Sequence, residues 1–109
     1  MLRLRVYIAG PYTIGDTILN IRAAIKAGDR VLKAGHIPFI PHTNMLWHLV
    51  CPHEAQVWYD WDLEWLMMCN AMIKLPGESV GADREECWAR AWGKPIYTLE
   101  EFLEKHKEA

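Results

Sequence analysis

Apolar positions along this chain follow two habits. Four short, nearly unbroken apolar runs stop at Gly, Pro or polar residues: "LRVYIAG" (4–10), "HIPFIPH" (36–42), "AMIKL" (71–75) and "KPIYT" (94–98). Such runs read as buried strands ending in loops. The prolines of the second mark an edge or end position. Between them the period lengthens. "DTILNIRAAIKAGDRVLKAG" (16–35) repeats apolar residues at Ile18, Ile21, Ile25 and Leu32 and meets a stop signal at Gly35, which predicts a helix with that stripe inward. "EAQVWYDWDLEWLMMCN" (54–70), "ADREECWARAWG" (82–93, closed by Gly93) and "LEEFLEKHK" (99–107) predict three more helices. Residues 41–53, "PHTNMLWHLVCPH", show no clear period and are expected to form a loop.

Strands alternating with helices predict an α/β fold: a three-layer, Rossmann- or flavodoxin-like parallel sheet of about four strands, helices on both faces, in one domain spanning 1–109. Ligands of such sheets sit at the carboxyl ends of the strands, at the switch point. The loops after Ala9, Ile40, Leu75 and Tyr97 are therefore expected around one crevice.

Helical geometry then sorts the acids, because residues three and four apart share a face. Glu85 has Ala82 behind it and Trp88, Ala89 and Trp92 ahead, so it lies on an apolar stripe. Asp83 and Glu86 fall among polar neighbours and read as solvated. Asp62 has Trp58 before it and Trp65, Leu66 and Cys69 after it, again an apolar stripe, whereas Asp60 keeps Gln56 and Glu64. An acid on an apolar face pays for desolvation and has a raised pKa, which suggests a use. Two carboxylates in unlike surroundings suit cleavage of a glycosidic bond. The structural alternative is that Glu85 caps its helix or pairs with Arg84 or Arg90, and that Asp62 pairs with a buried cation. Ser79, Gly81 and Ala82 open the third helix, where free backbone N–H groups serve either simple capping or an anion.

Composition narrows the classes. The 109 residues are 51% apolar, enough for one core but short for an enzyme, so a site completed by a second subunit, a homodimer, is expected. Twelve Lys and Arg against fourteen Asp and Glu, with no basic stripe, give no support for a nucleic acid polymer as partner. Three Cys without framework spacing read as free thiols of a reducing, cytoplasmic compartment. No run reaches membrane-spanning length, and the apolar start is too short for a signal peptide. His42, His48, Cys51 and His53 fit no zinc spacing, so no metal is expected. His42 and Asn44 instead follow the second strand and are placed on the crevice against sugar or base, with Trp47 and His48 able to stack on the base; an ordinary loop remains the alternative. "AGPYTIGD", with Gly10, Pro11 and Tyr12, is a loop that could hold a phosphate, but it lacks the dinucleotide and Walker patterns. Cys69 and Cys87 are expected to be buried and inert. Trp58, Trp61 and Trp65 are expected in the core or a dimer interface.

Three blocks then resemble a family. "VYIAGPY", "DLEWLMMCNAMI" and "SVGADREECWARAWGKP", in that order over most of the chain, are similar to the nucleoside 2-deoxyribosyltransferase superfamily, including its small 2'-deoxynucleoside 5'-phosphate N-hydrolases. The resemblance implies a retaining two-step reaction without metal or cofactor on a small nucleoside or nucleotide. It places the active-site tyrosine at Tyr7, the sugar-contacting acid at Asp62 and the nucleophile at Glu85, and puts Ser79 where the hydrolases bind a 5'-phosphate. That tilts the reading toward a hydrolase of nucleoside monophosphates, ahead of a deoxyribosyltransferase. Pro11 and Asn70 depart from the pattern, and the C-terminal residue that the transferases lend a neighbouring subunit has no match. The rival from another class is a nucleotide-binding module without turnover.

Overall fold

The computed structural model describes residues 2–107. The chain runs β1 (Arg5–Ala9), α1 (Thr17–Lys33), β2 (Ile37–Phe39), a 3₁₀ turn (Pro41–Thr43), α2 (Asn44–Val50), α3 (Ala55–Met68), β3 (Ala71–Lys74), α4 (Val80–Ala91), β4 (Ile96–Tyr97) and α5 (Leu99–Lys105). The four strands form one parallel sheet in the order β2-β1-β3-β4. Pro38 therefore lies on an edge strand, where its missing N–H costs no ladder bond. The order reverses direction between β1 and β3, so the crevice opens at their carboxyl ends.

Strand alternation divides the core in two. Val6, Ile8 and Ile73 meet Ala24, Ala27 and Val31 of α1 and Phe102 of α5 on one face. Tyr7, Ala9 and Met72 meet Leu66 of α3 and Ala82 and Ala89 of α4 on the other. The result is the expected three-layer, flavodoxin-like α/β arrangement.

α1 corrects the sequence reading. The helix forms as expected and is capped by Asp16, which accepts from the Leu19 N–H at 3.0 Å. Its inward face, however, is Ala24, Ala27, Gly28 and Val31, while Ile18, Ile25 and Leu32 are 67%, 43% and 54% exposed. The period is the same, rotated. Close approach decides the phase: a Cβ added to Gly28 would lie 2.3 Å from Ile40 Cδ1, so only small residues fit between α1 and the end of β2.

Residues 41–53 are not a plain loop either. They contain the 3₁₀ turn and α2, a helix with no buried residue, so no inward stripe marks it in the sequence. Cys87 is exposed, contrary to expectation, and Cys69 is buried, its thiol pushed up to about 11 mainly by desolvation. Trp61 and Trp65 are 39% and 43% exposed, outside the core. Asn70, where the sequence departs from the pattern it resembles, is structural: its Oδ1 accepts from the Arg5 N–H at 2.8 Å and its own N–H donates to the Arg5 carbonyl at 2.8 Å.

Candidate active site

Alternation along β1 turns Tyr7 toward α3 and α4. Ser79 starts α4, its Oγ accepting from the Ala82 N–H at 3.0 Å, which is the capping alternative for that residue. From that start the helical turn carries Glu85 back over β1. Glu85 is 8% exposed, and the Tyr7 hydroxyl donates to its Oε2. It takes neither Arg84 nor Arg90 as a salt-bridge partner; Arg90 binds Glu86, which with Asp83 also binds Lys74. Glu86 is thus a half-buried ion-paired acid rather than a freely solvated one.

Asp62, midway along α3, is half-buried, and Asn44 donates from Nδ2 to its Oδ1 at 3.0 Å. Desolvation pushes both acids up to about 7. On Glu85 the Tyr7 bond and the Arg84 charge work against burial. On Asp62 the Glu85 charge adds to burial, and the Asn44 bond opposes both. Both acids are thus held so that they take up a proton near neutral pH, and Asp62 ionises against the charge of Glu85. Burial and the neighbouring Glu85 also raise the Tyr7 hydroxyl well above its ordinary value, so it stays a neutral donor.

Both acids line a cavity of about 730 Å³, within the range of small-molecule sites. Its wall brings together Gly10 and Tyr12 from the loop after β1, His42 and Asn44 from the segment after β2, and Ser79, Gly81 and Ala82 from the start of α4. Two candidates are absent from the wall. Tyr7 is fully buried and reaches the site through Glu85. Pro11 faces Gly77, where an added Cβ would lie 2.8 Å from its ring, and its carbonyl accepts from His42 Nε2 at 2.8 Å. His48 lines the cavity; Trp47 does not, and packs edge-on against Trp58 and Trp61 instead.

The sequence reading missed Tyr59 and Arg84 in the wall. Tyr59 is three residues before Asp62 and shares its face, a signal the helical spacing contains. The Arg84 guanidinium stacks 4.0 Å from the centre of the Tyr59 ring and makes no ion pair among the described residues. Only tertiary packing turns it into the cavity. Among the described residues no group of three or more His, Cys, Asp or Glu gathers to hold a metal ion, and no helix is long and apolar enough to cross a membrane.

The arrangement can do specific chemistry. The Tyr7 hydroxyl binds Oε2 of Glu85, so Oε1 is the oxygen without that bond. A second acid stands on the same cavity wall with a proton available near neutral pH. Two acids of unlike surroundings thus face one space, the arrangement that nucleophilic attack with proton donation requires.

Residues 4–99 match the family model described as domain of unknown function (DUF7768). No curated protein matches the chain in sequence. In structure the chain is similar to a 2-deoxyribosyltransferase from the psychrotolerant bacterium Bacillus psychrosaccharolyticus. The TM-score is 0.62 at 19% identity, covering 84% of this chain and 69% of that one. At that identity the likeness is one of fold.

Proposed function

The chain belongs to this family of unknown function, and we propose that it is an N-glycosidase cleaving the base–sugar bond of a nucleoside 5'-monophosphate or nucleoside. The observation that carries the proposal is Glu85: a buried carboxylate, held by a tyrosine, in the wall of a cavity it shares with a second raised acid. A site that only bound a ligand gains nothing from the cost of that burial.

In the proposed reaction Glu85 Oε1 attacks C1' of the sugar. The C1'–N bond breaks, its electron pair goes to the base, and Asp62 gives the base a proton. Asp62, now ionised, takes a proton from water as that water attacks C1'. The bond to Glu85 breaks and the carboxylate returns. Tyr7 orients Glu85 throughout. The Arg84 guanidinium, which makes no ion pair among the described residues, and the Ser79 hydroxyl at the start of α4 support a monophosphate as the substrate. Sugar transfer to a second base is the alternative, favoured by the fold likeness to a 2-deoxyribosyltransferase. The reading includes a cytoplasmic homodimer covering the exposed Trp61 and Trp65; a monomer in light scattering counts against that part.

The test is base release. Ribo- and deoxynucleosides and their 5'-monophosphates are incubated with the protein, with and without a second free base, beside Glu85→Ala. The expected result is release that falls by about 1,000-fold or more in the variant. No release from any substrate, with one still binding in calorimetry, overturns the enzyme in favour of a binding module.

A further inference from the structure

The two oxygens of Asp62 are not equivalent. Asn44, the first residue of α2, donates from Nδ2 to Oδ1 at 3.0 Å. An amide –NH₂ can only donate, so Oδ1 is held as an acceptor and the carboxyl proton belongs on Oδ2. Asn44 is itself anchored. The 3₁₀ turn before it is tied to the loop after β1 by the His42–Pro11 bond, and the Tyr12 hydroxyl donates to Met45 Sδ at 2.9 Å. The amide thus approaches Asp62 from a fixed arm rather than from a free loop.

We infer that Asn44 is a positioning residue: it fixes which oxygen of Asp62 carries the proton and holds that carboxyl in register with the bond to be broken. The inference rests on the N-glycosidase reading and assigns Asn44 a partner other than substrate. The groups around Asp62 act in opposite senses. Glu85 from α4 disfavours its ionised form, and the Asn44 amide from α2 favours it. Tyr7 of β1 stays neutral, Arg84 acts on Glu85, and His48 and His53 stand on the same wall. Loss of the Asn44 donor therefore makes Asp62 a weaker acid.

The experiment compares wild type with Asn44→Leu and Asn44→Asp, each also in an Asp62→Asn background. Asn44→Asp keeps the side-chain shape and serves if the leucine variant does not fold. The expected result is a fall in kcat of about 10-fold or more with little change in KM. The alkaline limb of kcat/KM, where Asp62 loses its proton, moves up by roughly half a pH unit or more. In Asp62→Asn the second substitution adds no further loss, because its target is gone. Titration of the Asp62 carboxyl carbon by NMR follows the same shift without any turnover. An unmoved limb and an unmoved Asp62 midpoint, or a loss confined to KM, overturns the assignment and returns Asn44 to direct substrate contact. A moved midpoint without base release sinks the glycosidase reading and leaves the Asn44–Asp62 coupling standing.

Discussion

Burial raises the Glu85 carboxyl, and the Tyr7 hydroxyl works against that rise. The Tyr7 ring is fully buried and packs 5.5 Å from Phe39, so Tyr7→Phe keeps the shape and removes only the donor to Glu85. That donor favours the ionised carboxylate, against burial that already holds Glu85 at about 7. Without it the Glu85 pKa rises, and the acid limb of kcat/KM moves to higher pH. On the proposed reaction the expected loss is about 10- to 100-fold, and it is larger at pH 6 than at pH 8 because fewer molecules carry an ionised Glu85. A pH-independent loss would mean that Tyr7 orients Glu85 without tuning it. At this scale the sequence was informative. Ala82 and Ala89 flank Glu85 at three and four residues, and both are buried, so the face containing it could be read from spacing alone. Trp88, counted on the same stripe, is 45% exposed, because a helix turns enough over three residues to bring one shoulder of a stripe out. The Asn44–Asp62 bond joins side chains 18 residues apart on separate helices, and no local period encodes it.

Helix α1 makes the same point for a whole element. Periodicity gave its existence, and its end near Gly35 agrees with the stop signal in the sequence, while the cap at Asp16 is seen only in the structure. Periodicity cannot give phase when one face has large aliphatic residues and another has small ones. The sheet selected the small face, where Gly28 lets the helix approach Ile40. This choice is testable by contrast. Gly28→Val inserts atoms into a gap already filled by Ile40 and is expected to cost about 1–3 kcal/mol in chemical denaturation. Because Ile40 leads into the turn that carries Asn44, activity should fall as well. Ile25→Ala, on the outward face, should stay within about 0.5 kcal/mol. The stripe first read from the sequence requires the reverse order. α2 escaped notice for a related reason: with nothing buried, its outward Leu46, Leu49 and Val50 give no amphipathic signal. The strands, in contrast, were legible because buried parallel strands are apolar on both faces.

Taken over the whole molecule, two raised carboxylates in one cavity are a standing cost to the fold, and its sign can be worked out. Glu85 and Asp62 move from ordinary values of 4.5 and 3.8 to about 7 in the folded chain. A raised carboxylate binds its proton more tightly when folded, so its stability is greatest below the unfolded pKa and declines as pH rises through the folded one. His42 acts oppositely: burial lowers its pKa, so its contribution is lost as pH falls. The two effects overlap, which makes a single pH profile ambiguous. The difference between wild type and Glu85→Gln separates them, since His42 is common to both. Glutamine keeps an oxygen for the Tyr7 hydroxyl and never ionises. Below pH 4.5 the two proteins should unfold at similar denaturant concentrations. Between pH 4.5 and about 7 the variant should pull ahead, reaching roughly 2–3 kcal/mol above wild type at pH 8. The same substitution should abolish base release, so stability gained and activity lost would trace to one carboxylate. A variant no more stable than wild type at pH 8 would mean that Tyr7 and Arg84 fully compensate the buried charge, and the acid limb of the rate profile would then lie well below pH 7.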